Sequence, residues 1–273
     1  MDTEVRTRVT LGAELRDAIE SGQLFLVYQP QVAIHDGRIT GLEALVRWHH
    51  PVRGILGPDF FIPLAEKIGL IAKLGHWVLW TACRQAKEWL DAGIAPIRIG
   101  VNLSALQFKT PLALENDIAA ALAVTGLPAR LLELELTETV LMEASREHND
   151  ILLRLRQAGV TIAIDDFGTG YSSLDYLRQF PADRIKIAQN FVRHLETMPG
   201  NAAIVKATIG LARELGIAVI AEGVESEEQL TLLKSWGCGE AQGFYFAQPL
   251  TTEDVTPLLR QGKLLPPQTS PIA

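Results

Sequence analysis

Val160-Thr-Ile-Ala-Ile-Asp-Asp-Phe-Gly-Thr-Gly-Tyr171 is the stretch whose reading decides the fold. A β-forming run leads straight into two carboxylates and then into a glycine-rich turn. Neighbouring side chains on a strand point to opposite faces. The tandem Asp165-Asp166 therefore serves one ligand only where the strand gives way to a loop, and Phe167-Gly-Thr-Gly-Tyr171 supplies that loop. Ser145 to Ala158 before the run and Ser172 to Gln179 after it carry helical patterns. A strand set between two helices is the βα unit of a mainly parallel sheet.

The unit recurs along the chain. Eight runs read as strands: Leu24 to Gln29, Ile39 to Trp48, Ile97 to Leu103, Leu132 to Leu136, Val160 to Asp165, Arg184 to Ile187, Ala218 to Glu222 and Ala241 to Phe246. Helical patterns separate them, from Phe60 to Ile68 and His76 to Ala92 through to Thr252 to Gln261. Gly93, Gly126, Gly159, Gly216 and Gly237 stand at helix ends, where a left-handed residue closes the helix. Eight strands with interleaved helices in 273 residues favour a closed (β/α)8 barrel over an open sheet. The first strand is the exception. It reaches the second through His35-Asp36-Gly37-Arg38 alone, whereas a parallel pair needs a crossover of a dozen or more residues. The expected fold is α/β, a modified TIM-like barrel whose first strand is antiparallel to the rest. Residues 1–22 read as a lead-in with a helix from Leu11 to Ser21, 23–262 as the barrel, and 263–273 as a flexible tail.

Composition is that of a globular protein, 48% hydrophobic and 21% charged, with a net charge of −7. That balance disfavours bulk electrostatic binding to a nucleic acid polymer or an anionic membrane. No apolar stretch reaches the length of a membrane span, and no signal peptide opens the chain. Cys83 and Cys238 lie in unrelated contexts and read as two buried or semi-buried thiols in a reducing cytoplasm.

Chemistry gathers at strand ends, where barrels of this kind place their active sites. Glu43, Glu135, the Asp165-Asp166 pair and Glu222 each close an apolar run, and converging carboxylates repel unless a cation sits among them. Asn102, Lys186 and Gln242 occupy matching positions on other strands. Each has a plainer reading: Asn102 as a loop cap, Lys186 as half of a structural pair, Gln242 as a turn residue. Glu133, alternating with Leu134, reads as a solvated face or a structural ion pair. His49-His50, before Pro51, reads as a surface loop. Oxygen ligands select hard cations such as Mg²⁺ or Mn²⁺, and adjacent aspartates suit two ions roughly 3.5–4 Å apart. Lys186 can orient or deprotonate an attacking water, and Arg47 is placed to pair with a phosphate. The residues by themselves point to metal-dependent hydrolysis of a phosphate ester.

Taken together, Glu43-Ala-Leu-Val-Arg47, Asn102-Leu-Ser104, Glu135-Leu-Thr-Glu138, Asp165-Asp-Phe-Gly-Thr-Gly-Tyr-Ser-Ser173, Ile185-Lys-Ile187, Ala221-Glu-Gly-Val-Glu225 and Gln242-Gly243 resemble the EAL domain, a cyclic di-GMP phosphodiesterase family. The resemblance runs from about Leu11 to Leu250. It implies hydrolysis of cyclic di-GMP to linear pGpG with two Mg²⁺ or Mn²⁺ ions. Glu43, Asn102, Glu135 and Asp165 would ligate one ion, and Asp165, Asp166 and Glu222 the other. Lys186 would hold the catalytic water, making it catalytic with Glu43 and Glu222. Arg47, Leu45, Gln242 and Gly243 would meet the substrate. Glu138 and Glu225 would anchor the loop Phe167 to Ser173. The same resemblance implies a homodimer and a fused sensory or cyclase domain in the full-length protein.

One position departs from the family pattern: Ala188 follows Ile185-Lys-Ile187 where an aspartate is usual. An aspartate there could position the lysine or help with the metals and water. The departure supports a competing expectation, a receptor that binds the dinucleotide with weak or no turnover.

Overall fold

The computed structural model describes residues 2–138, 140, 146–170, 177 and 180–264. Its strands are β1 (Leu24–Ala33), β2 (Ile39–His50), β3 (Gly54–Leu56), β4 (Arg98–Leu103), β5 (Leu132–Thr137), β6 (Thr161–Phe167), β7 (Arg184–Ile187), β8 (Ala218–Ala221) and β9 (Glu240–Gln242). The sheet order is β1-β9-β8-β7-β6-β5-β4-β2-β3, and β1 also pairs with β2, so eight strands close a barrel. Closure removes every sheet edge except that of β3, which hangs on β2 as a short hairpin. β1 is antiparallel to both neighbours, β2 and β9. The other barrel pairings are parallel. The inverted first strand follows from the short turn, Ile34 to Arg38, that joins it to β2.

The helices are α1 (Asp2–Glu20), α2 (Pro58–Lys67), α3 (Ile71–Asp91), α4 (Pro111–Thr125), α5 (Arg146–Gln157), α6 (Gln189–Val192), α7 (Pro199–Leu215), α8 (Glu227–Ser235) and α9 (Thr252–Gln261). Among the described residues, no helix is long and apolar enough to cross a membrane. α1 is longer than the expected lead-in helix, and Leu11, Leu15, Ala18 and Ile19 bury one face of it in the core. Of the expected helix Ser172 to Gln179 only Leu177 is among the described residues, and residues 265–273 of the tail lie outside them. Lys263 and Leu264, read as the start of that tail, are tied down instead. Leu264 is buried and its N–H donates to the Gly37 carbonyl at 2.8 Å.

Two readings of single residues change. β2 runs on through His49 and His50 because β3 pairs with it, so this is not a loop. His49 is exposed, but His50 is buried, its ring 4.9 Å from Trp48 and its Nε2 3.3 Å from Glu14. The eighth barrel strand ends at Gln242 rather than Phe246, since the chain turns at Gly243 to let Tyr245 donate to the Val224 carbonyl.

The core lies between sheet and helices. On β5 the leucines 132, 134 and 136 are fully buried. They face the helices, because the alternating Glu133 and Glu135 reach charged partners across the barrel axis. Glu133 is thus not solvated. Its carboxylate sits 3.0 Å from Arg98 Nε and 3.2 Å from Arg184 Nε. Burial pushes Glu133 up to about 7 against the pull of Arg98. The barrel interior is a stack of charges rather than a stack of aliphatic layers, and this is what brings the acidic residues together.

Candidate active site

The carboxylates converge on one nitrogen. Lys186 Nζ, fully buried, stands 2.6 Å from Glu135, 2.8 Å from Glu222, 3.2 Å from Asp165 and 3.5 Å from Glu43. Strand register sets this. Glu43 lies beside Gly100 and Asn102 beside Glu135 in the parallel ladder, while Glu135 itself neighbours Ala163. Small residues between the acids leave the space they occupy. A Cβ on Gly100 would collide with Glu135 Oε1.

Hydrogen bonds fix Glu43 further. Asn102 Nδ2 donates to one oxygen at 2.9 Å and Gln242 Nε2 to the other at 2.6 Å. Burial alone would push this carboxyl upward. The Lys186 charge and the Gln242 and Asn102 donors outweigh it and hold Glu43 below its ordinary value. Burial wins at Glu135, which is raised well above the carboxylate range despite Lys186. Burial, with repulsion from Asp165 and Glu43, likewise lifts Glu222 to about 8. Lys186 is held charged: its own burial opposes the charge, and four carboxylates override it.

The tandem aspartates behave as the loop transition requires. The β6–β7 ladder breaks register between Ile164 and Phe167, and Asp166 takes φ 52°, the only non-glycine positive φ among the described residues. Aspartate tolerates that left-handed conformation better than most residues, and a bulge re-aims the extra side chain. Carboxylate oxygens of Asp165, Asp166 and Glu222 consequently lie within 4.8 Å of one another. Burial and the neighbouring Asp165 both raise Asp166. Glu135 Oε1 is buried without a hydrogen-bond partner. An all-oxygen donor set with one orphaned buried oxygen fits a hard divalent cation.

A cavity of about 220 Å³ opens above these groups. Leu45, Gln242 and Gly243 line it. Gly243 has no alternative, since a Cβ there would collide with the backbone N and O of Val224. Arg47 is half-buried near the rim; its guanidinium donates to the Val46 carbonyl at 2.9 Å rather than to the acidic cluster. Glu138 is buried, and its carboxylate accepts from the N–H groups of Gly168 at 2.9 Å and Gly170 at 3.2 Å, clasping the start of the loop after β6. Glu225 also lines the cavity. It stands 3.8 Å from Arg193, and among the described residues no contact ties it to that loop.

Three lining residues lie outside every motif read from the sequence: Gln29, Gln189 and Phe244. Gln29 accepts from Gln242 at 2.9 Å. It stands in the antiparallel β1, opposite Glu43, where no strand-end rule points. Gln189 packs against Gly223 at the start of α6, a helix too short to leave a periodic signal. Phe244, more than half exposed, had been read as part of a strand.

Comparison with known proteins agrees with this geometry. MucR of Pseudomonas aeruginosa, a bifunctional diguanylate cyclase/cyclic di-GMP phosphodiesterase, is 44% identical over 255 residues, 93% of this chain and 37% of that protein. The cyclic di-GMP phosphodiesterase NbdA of the same organism is 43% identical over 247 residues, 90% of this chain and 31% of its own. An uncharacterized signaling protein of Caulobacter vibrioides is 45% identical over 256 residues, covering 94% of this chain and 31% of that protein. The chain therefore spans about a third of the length of these relatives. The solved structure of PaMucR phosphodiesterase in complex with c-di-GMP superposes with a TM-score of 0.86 at 46% identity, over 89% of this chain and 98% of that one. A family model described as EAL domain matches residues 13–249, which include all of the acidic cluster. With the barrel fold in agreement, the chain belongs to the EAL domain family.

Proposed function

We propose that this chain is a metal-dependent phosphodiesterase that hydrolyses cyclic di-GMP to linear pGpG. The observation that carries the reading is the convergence of Glu43, Glu135, Asp165 and Glu222 on Lys186 Nζ beneath an open cavity. The relatives named as cyclic di-GMP phosphodiesterases support the choice of substrate.

Glu43, Asn102, Glu135 and Asp165 would hold one Mg²⁺ or Mn²⁺, and Asp165, Asp166 and Glu222 a second. Such ions activate a bound water and neutralise charge on the phosphodiester. The chain's own residues supply the rest. Lys186 holds and orients the attacking water, whose oxygen bonds to phosphorus as the bond to the 3′ oxygen breaks; the 3′ oxygen leaves as a hydroxyl. Against its burial, the Lys186 charge and then the Gln242 and Asn102 donors favour the ionised form of Glu43, and the two amides fix its orientation. Arg47 turns from the Val46 carbonyl to a substrate phosphate. Leu45, Gln242 and Gly243 shape the contact surface, Glu138 steadies the Asp165-Asp166 loop, and Glu225 stands at the cavity mouth. A homodimer, a fused sensory or cyclase domain and a cytoplasmic location belong to the same reading.

The test is direct. Purified protein is incubated with cyclic di-GMP and Mg²⁺ or Mn²⁺, and the linear product is followed by chromatography. Product that disappears on chelation is the expected result. Tight binding without product would establish the receptor reading instead, and no binding would refute the substrate.

A further inference from the structure

The N-terminal mouth of the barrel, opposite the carboxylate rim, carries a second cavity that the proposed reaction does not use. Its volume is about 390 Å³, within the ~300–1,000 Å³ range of small-molecule sites. One wall is apolar, made by Ile209, Ile217 and Val219 from α7 and the start of β8. Arg38, just before β2, and Arg213, on α7, face the same space. Arg213 is fixed in place: its Nη2 donates to the Trp236 carbonyl at 3.1 Å, and a Cβ on Gly237 would come within 2.5 Å of that nitrogen. Arg38 is well exposed, its Nε 3.8 Å from Asp36.

Glu240, which also lines this cavity, is already neutralised. It lies 3.2 Å from Arg98 and 2.9 Å from Arg184, and accepts from the Thr40 hydroxyl at 2.7 Å. Arg98 and Arg184 thus balance Glu240 and the Glu133 beside it, and Asp36 offsets one more arginine. Arg38 shares Asp36 with His35, which lies 3.1 Å from that carboxylate, and among the charged groups lining the cavity Arg213 has no carboxylate set against it. A concave apolar wall with guanidinium groups beside it suits an anionic group carried on an apolar body.

We propose that this cavity is a ligand site for a small organic anion, one phosphate, sulfonate or carboxylate on a flat apolar body, held by Arg38 and Arg213. The body lies on Ile217 and Val219 while the anion faces the guanidinium groups. The site is distinct from the catalytic cavity and independent of its metals.

Phenyl phosphate is a suitable probe, with inorganic phosphate beside it to separate a bare anion from one on an apolar body. Binding is followed on the intact chain, with chelator present, by amide chemical shifts. Saturable shifts at Ile217, Val219, Gly237 and Gly239 are expected, with inorganic phosphate several-fold weaker. Arg38→Glu should weaken binding by about tenfold. Ala218→Phe, at an exposed position lining the cavity, should abolish it by filling the space. Melting curves unchanged in both variants would show that the fold is kept. Absence of saturable binding, shifts confined to the carboxylate rim, wild-type affinity in both variants, or equal affinity for inorganic phosphate would each overturn the assignment.

Discussion

Replacing Lys186 by methionine tests the view that one ammonium holds the acidic rim together. The side chain has no solvent exposure, and four carboxylates lie within 3.5 Å of its nitrogen. Methionine keeps the length and the apolar stem but leaves those carboxylates without their cation. Removing one partner of a buried ion pair costs ~3–5 kcal/mol. For a chain of this size each kcal/mol moves the melting temperature by roughly 2–4 °C. Lys186→Met should therefore melt roughly 6–20 °C below the wild type in chelator, and added Mn²⁺ should close much of that gap. Turnover of cyclic di-GMP should fall by at least ~100-fold in saturating Mn²⁺, since the water loses its positioning group. Calorimetry with and without chelator, paired with product analysis, reads both effects. A variant that melts within ~2 °C of the wild type in chelator would refute the reasoning, because the Lys186 ammonium would then not be what holds the rim together.

Further outcomes follow from the same geometry. Glu222 is raised to about 8 in the metal-free protein, so binding a cation must release a proton there. Apparent Mn²⁺ affinity should rise with pH up to about 8 and then level off, as titration calorimetry in buffers of different ionisation enthalpy would reveal. The sign for stability is the reverse. A carboxyl raised above its unfolded value favours the metal-free fold below about pH 4, and that contribution is lost as pH climbs through about 8. Glu138→Ala removes the acceptor of two loop N–H bonds, and turnover should drop at least ~tenfold while Glu138→Gln recovers part of it; equal rates in both variants would show that the loop is held elsewhere. Ala188→Asp, two residues beyond Lys186 at a buried position, should raise turnover by up to ~tenfold if the usual aspartate helps position the water. An unchanged rate would show that alanine is tolerated there. Gly243→Ala must move the Val224 backbone, so a melting temperature lowered by several degrees, with weakened substrate binding, is expected; wild-type values in both would contradict the close approach.

The sequence by itself determined the barrel, its inverted first strand and the identity of the acidic rim. These are local matters: apolar runs ending in carboxylates, a four-residue connection too short for a parallel crossover, and tandem aspartates before a glycine-rich turn. What only the tertiary structure decided depends on closure and register. Lys186 reads equally as a structural or a catalytic residue until four strands place their carboxylates around its nitrogen. Glu133 alternates like a solvated position, yet the barrel axis behind it is filled with arginines. His50 looks like a loop residue until β3 folds back and extends β2 past it. Gln29 lies in the middle of its strand, and antiparallel pairing carries it to the level of Glu43. Periodicity along one strand reports which face is buried, but not what waits on the far side of a closed sheet, and that opposing side chain sets the charge and role of each polar residue inside.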